Sequence, residues 1–175
     1  MAKKSIFITG GARSGKSSFA LKSSGEAGLD KKVFLASGTP SDSEMFNRIK
    51  KHKEERGKDW LTVEEPTDIP GAVAENSSSE LILFDCVTMW ISNLMEQGHS
   101  DRVILAFVDD LIDAVSDFDG VFMIVSNEVG LGIVPVNDLA RRFRDLAGSA
   151  NQKLASSFEE VYFMASGIPM KIKGS

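Results

Sequence analysis

The stretch Ile6-Phe7-Ile8-Thr9-Gly10-Gly11-Ala12-Arg13-Ser14-Gly15-Lys16-Ser17 decides how this chain folds. Ile6 to Thr9 is a short apolar run of the kind that forms a strand covered on both faces. Two glycines break it, and a helix is predicted from Lys16 onward. The span Gly10 to Ser17 fits the pattern G-x-x-x-x-G-K-[ST] between a strand and a helix. Each part has a physical reason. The backbone from Gly10 through Gly11, Ala12, Arg13, Ser14 and Gly15 can curl so that its N–H groups face phosphate oxygens, and the helix N-terminus adds positive potential. Lys16 is placed to reach the β- and γ-phosphates, and the Ser17 hydroxyl to bind Mg²⁺. An ordinary glycine turn before a helix is the competing reading. The lysine, the serine and the strand–loop–helix context together weigh against it.

Outward from this loop the same alternation continues. Val33 to Ala36, Leu81 to Phe84, Val121 to Ser126 and Val161 to Ala165 read as further buried strands. Helices are predicted over Ser43 to Arg56, over Val87 to Met95, and from Pro135 onward. In the last of these, Leu139, Phe143, Leu146, Ala147, Ala150 and Leu154 share one face, and Pro135 suits a first helical turn. Strand followed by helix, repeated, predicts right-handed crossovers and a mostly parallel sheet. The fold class expected is α/β, P-loop NTPase-like, with a central sheet flanked by helices. Residues 1–175 read as one domain, since no polar connector is long enough for an inter-domain linker.

Composition narrows the function. Twenty basic residues against 25 acidic give a net charge of -5, which argues against a general nucleic-acid binder. No apolar run reaches the length of a membrane span, and the apolar stretch behind Met1 to Ser5 breaks too early for a signal peptide. A cytoplasmic location is expected. The single cysteine excludes an internal disulfide and a cysteine-held metal centre.

Two further residues carry chemistry. Asp85 ends a buried strand at the rim where the phosphate loop lies, so it suits a magnesium ligand beside Ser17, or a cap for the following helix. His52 stands on a basic helical segment with Arg48 and Arg56 four residues to either side. Clustered cations favour its neutral imidazole, which could attack an α-phosphorus; a solvated or packing histidine is the plainer account.

Three segments then point to one family: Thr9 to Ser17; Arg48-Ile49 through His52 to Arg56 and Trp60; and Ser126-Asn127-Glu128-Val129-Gly130-Leu131-Gly132-Ile133-Val134-Pro135, continuing into Leu139-Ala140-Arg141 and Phe143-Arg144-Asp145. Together they resemble the bifunctional adenosylcobinamide kinase/adenosylcobinamide-phosphate guanylyltransferases of cobalamin biosynthesis, in order over nearly the whole chain. The resemblance implies that ATP or GTP phosphorylates adenosylcobinamide. It further implies that GTP guanylylates a histidine, from which GMP passes to adenosylcobinamide phosphate. It gives His52 the nucleophile's role and Lys16 a catalytic one. It places Lys53, Glu54, Glu55 and Arg56 at the guanine nucleotide, with Ser37, Gly38 and Glu64 at further nucleotide contacts and a homotrimer as the assembly. Lys51 stands where some relatives carry a second histidine, and Asp85 where some carry glutamate.

Two other classes compete. A small-molecule kinase that never forms a nucleotidyl-enzyme shares the phosphate loop. A regulatory GTP-binding switch would need D-x-x-G after a strand; Asp117-Phe118-Asp119-Gly120 precedes one instead, and no N-K-x-D motif occurs.

Overall fold

A computed structural model describes residues 3–38 and 59–174. The Ser43–Arg56 helix, and with it His52, Lys53, Glu54, Glu55 and Arg56, falls outside the described residues. In chain order the elements are β1 (Lys4–Gly10), α1 (Lys16–Glu26), β2 (Lys32–Ala36), β3 (Trp60–Glu64), α2 (Ile69–Glu75), β4 (Leu81–Asp85), α3 (Val87–Glu96), α4 (Asp101–Asp117), β5 (Val121–Asn127), α5 (Asp138–Ser157), β6 (Glu160–Ala165) and β7 (Ile168–Lys173).

The strands form one sheet in the order β3-β2-β4-β5-β1-β6-β7. All neighbours are parallel except β6 and β7, which pair antiparallel. The expected mostly parallel sheet is therefore present, and the chain has the P-loop NTPase-like architecture. Strands β1, β4 and β5 are nearly continuous apolar runs because both of their faces are covered. Phe7, Ile82, Phe84, Phe122 and Ile124 point to the side packed by α2, α3, α4 and α5, with Trp90 fully buried among them. Ile6, Ile8, Leu81, Leu83, Met123 and Val125 point to the side packed by α1 through Ala20 and Phe19. Each such buried side chain is worth about 1.5–3 kcal/mol relative to exposure.

Several local expectations change. Helix α5 starts at Asp138, not Pro135, because the Asn137 side chain caps it by accepting from the Ala140 N–H at 3.0 Å. Leu139 is exposed, whereas Leu146, Ala147, Ala150 and Leu154 do form the buried stripe. Asp117 ends α4 and Gly120 leads directly into β5, so this D-x-x-G lies at the edge of the sheet opposite the phosphate loop.

Candidate active site

The loop between β1 and α1 is wrapped by its own lysine. Lys16 is 6% exposed, and its Nζ donates to the Gly10 carbonyl at 3.0 Å and the Gly11 carbonyl at 2.6 Å, with Ser14 Oγ at 3.5 Å. Arg13 (φ 56°) and Gly15 (φ 92°) are left-handed, which supplies the curl that the motif requires. No side chain caps α1, whose N-cap is Gly15 itself. The helix's first amides are therefore left without a side-chain partner, the arrangement by which helix N-termini bind anions. Arg13 and Ala12 are exposed at the tip.

Gly10 shows why only glycine fits here. A Cβ at this position would lie 2.5 Å from the Met164 carbonyl oxygen and 2.9 Å from Ser14 Oγ. The loop is also tied to the β6–β7 turn, where the Gly167 N–H donates to the Ser14 carbonyl at 2.9 Å.

Asp85 stands at the tip of β4, and the Ser17 hydroxyl donates to its Oδ2 at 2.6 Å. Among the described residues no three or more His, Cys, Asp or Glu side chains gather as a metal cage. Two hard oxygens converging beside a phosphate loop nevertheless fit Mg²⁺, which keeps several waters and takes its other ligands from substrate phosphates. Ser17 and Asp85 are the residues that would hold it, and a bound ion would neutralise charge on the phosphates. The alternative reading of Asp85 as a helix cap does not hold: the N-cap of α3 is Cys86, and no side chain caps that helix.

The remaining strand tips are laced together. Ser37 Oγ donates to the Cys86 carbonyl at 2.8 Å and accepts from the Cys86 N–H at 3.0 Å, while the Ser37 N–H donates to the Asp85 carbonyl at 3.3 Å. Ser37 is fully buried. Its hydroxyl is thus committed to holding β2 against β4. Asn93 on α3 donates to the Ser37 and Pro66 carbonyls at 2.8 and 2.9 Å, joining the segments that leave β2 and β3. Glu64 lies at the same rim on β3, four strands from β1, so about 19 Å away at ordinary strand spacing.

At the tip of β5 the Glu128 N–H donates to the Gly10 carbonyl at 2.9 Å. The Glu128 carboxylate accepts from the Gly130 N–H at 2.6 Å and so shapes its own loop. Arg141 holds that loop from the far side by donating to the Pro135 and Val136 carbonyls, and Arg142 bridges to Asp101 and the His99 carbonyl. Cys86 is buried; burial, followed by the neighbouring Asp85 charge, pushes its thiol up to about 11, so it is a packing group at neutral pH.

A strand-borne phosphate loop, a buried lysine and a serine–aspartate pair at the C-terminal rim of a parallel sheet define a P-loop nucleotide-binding protein. Solved structures agree on the fold. The flagellar accessory protein FlaH of Methanocaldococcus jannaschii superposes with a TM-score of 0.57 at 12% identity over 99% of this chain and 79% of that one. The KaiC-like protein PH0186 of Pyrococcus horikoshii gives 0.54 at 12% identity, over 92% and 70%. Sequence comparison goes further, because residues 6–172 match the family described as cobinamide kinase / cobinamide phosphate guanyltransferase, and the chain belongs to that family. It is 37% identical to the bifunctional adenosylcobalamin biosynthesis protein CobP of Pseudomonas aeruginosa over 95% of this chain and 96% of that protein. It is also 37% identical to the bifunctional adenosylcobalamin biosynthesis protein CobU of Escherichia coli, over 96% and 99%.

Proposed function

We propose that this chain is a transferase acting twice on adenosylcobinamide at one phosphate loop. In the first reaction the aminopropanol hydroxyl attacks the γ-phosphorus of ATP or GTP, the bond to the bridging oxygen breaks, and the nucleoside diphosphate leaves. The hydroxyl proton is lost to solvent. In the second, a ring nitrogen of neutral His52 attacks the α-phosphorus of GTP and pyrophosphate leaves. A phosphate oxygen of adenosylcobinamide phosphate then attacks the same phosphorus, giving adenosylcobinamide-GDP and freeing His52. Splitting the transfer through a histidine turns one difficult step into two in-line displacements.

The observation that carries this reading is the loop geometry: Lys16 buried against Gly10 and Gly11, with Ser17 bonded to Asp85. The amides of the loop and Lys16 stabilise charge on the phosphates and do no covalent work. Family membership supports the acceptor and the pair of reactions. Gly10, Gly11, Ala12, Arg13, Ser14, Gly15 and Gly38 are assigned to nucleotide contact, with Lys53, Glu54, Glu55 and Arg56 at the guanine end and Ser17 and Asp85 at Mg²⁺. Ser37 supports the site from behind. We further propose that residues 1–175 form one domain, that it works in the cytoplasm, and that three copies assemble. No helix among the described residues is long and apolar enough to cross a membrane. Glu64 is assigned to a further nucleotide contact.

The test is direct. Purified protein with adenosylcobinamide, GTP and Mg²⁺ should yield first the phosphate and then the GDP adduct by mass spectrometry, and Lys16→Ala should yield neither. Formation of the phosphate alone would leave the plain-kinase reading; slow GTP hydrolysis without any corrinoid product would favour a switch protein. Light scattering should give three times the 19.0 kDa of the chain.

A further inference from the structure

The tip of β5 holds a side chain that the site as described does not use. Asn127 lies directly opposite Gly10 in the parallel register, and Asp85 pairs with Val125 on the other side of the same strand. The alternation along these strands settles the face. Ile6 and Ile8, Leu81 and Leu83, and Met123 and Val125 all point toward α1. Continuing by twos, Gly10, Asp85 and Asn127 point the same way. Asn127 therefore stands between the start of the phosphate loop and the Asp85–Ser17 pair, on their face of the sheet.

This amide is built in. Its Nδ2 donates one hydrogen to Thr88 Oγ1 at 2.8 Å, and Thr88 is 4% exposed, in the first turn of α3. The Asn127 backbone carbonyl accepts from Asn151 Nδ2 at 3.2 Å, and Asn151 Oδ1 in turn accepts from Ser126 Oγ at 2.7 Å. Ser126 and Asn151 are themselves buried. Asn151 and Ser126 thus hold the strand tip through its backbone, and the Thr88 bond orients the Asn127 side-chain amide. Nδ2 makes no other hydrogen bond among the described residues, which leaves its second N–H for the site.

We propose that Asn127 is a further catalytic residue, whose remaining amide N–H donates to an oxygen of the terminal phosphate of the bound nucleotide, and that Thr88 is its positioning residue. The proposal rests on the kinase reading given above. Negative charge on the transferring phosphoryl group is spread over its equatorial oxygens, so a fixed neutral donor beside them assists the transfer. In the guanylylation of His52 the same phosphate belongs to the leaving pyrophosphate, and the donor matters less.

The experiment measures ADP release from ATP with adenosylcobinamide, alongside guanylylation of the enzyme by GTP in its absence. Asn127→Ala should lower kcat for ADP release about 100-fold, the usual cost of one such donor, with the KM for ATP changed less than about threefold. Guanylylation should fall less than about tenfold. Thr88→Val should reproduce the kcat loss, and Thr88→Ser should restore it. Should Asn127→Ala not fold, Asn127→Asp, which keeps the shape but removes the donor, is expected to show the same split. Retention of kcat within threefold in Asn127→Ala or Asn127→Asp overturns the proposal. So does an equal loss in both reactions with a lowered melting temperature, which would mark a merely structural asparagine. If the wild type shows no corrinoid-dependent ADP release, the kinase reading itself fails and the proposal fails with it.

Discussion

Ser17 and Asp85, 68 residues apart in sequence, meet through a 2.6 Å hydrogen bond between a helix that starts at the phosphate loop and the tip of a strand two places away in the sheet. This contact is where the proposed Mg²⁺ would meet the phosphate loop. Removing the charge of Asp85 while keeping its shape tests that directly. Asp85→Asn should lower both half-reactions by about 10²–10³-fold at low millimolar Mg²⁺, with partial recovery as Mg²⁺ is raised. An Mg²⁺-independent defect would assign Asp85 to structure alone.

Gly10 makes the second prediction. Its φ of 150° and the Met164 carbonyl 2.5 Å from any added Cβ leave no room for alanine. Gly10→Ala should cost roughly 2–4 kcal/mol through backbone strain and overpacking. Thermal unfolding should show a melting temperature lower by roughly 5–15 °C. Gly132→Ala, where a Cβ meets nothing within 4 Å, should move it little.

Cys86 gives a prediction in pH. Burial and then the Asp85 charge raise its thiol to about 11, so the folded protein holds the proton more tightly than the unfolded chain does. Its contribution to stability is present below roughly pH 8.5, where the unfolded thiol ionises, and is lost as pH rises through about 11. Native protein at pH 8 should react with iodoacetamide at least about 100-fold more slowly than denatured protein. Equal rates would show that the thiol is neither buried nor perturbed.

The legible part of the fold was the part with two covered faces. Runs such as Leu81-Ile82-Leu83-Phe84 announce themselves because both sides of the strand must be apolar. Edge strands carry no such demand. Trp60–Glu64 is only partly buried and Ile168–Lys173 is exposed throughout, so β3 and β7 were not predicted. A turn signal for β7 did exist: Ser166 and Gly167, at φ 51° and 86°, form the two-residue connection that a tight hairpin needs. Helix α4 also had a readable stripe in Ile104, Val108, Leu111 and Val115.

The site divides similarly. Gly10 to Ser17 was readable because phosphate binding constrains consecutive residues, and Asp85 because it ends an apolar strand. Ser37 was expected at the nucleotide, yet its hydroxyl turns inward to Cys86. The Asn127–Thr88 and Asn151–Ser126 bonds join residues 39 and 25 positions apart, and no local pattern in the sequence encodes them.

Covalent relay through His52 is the claim on which the transferase reading turns, and GTP labelled at the α-phosphate measures it. After denaturation and removal of free nucleotide, the wild-type chain should retain acid-labile, base-stable label, and His52→Asn should retain none. Label persisting on His52→Asn, or absent from a wild-type protein that still forms adenosylcobinamide-GDP, would contradict the account.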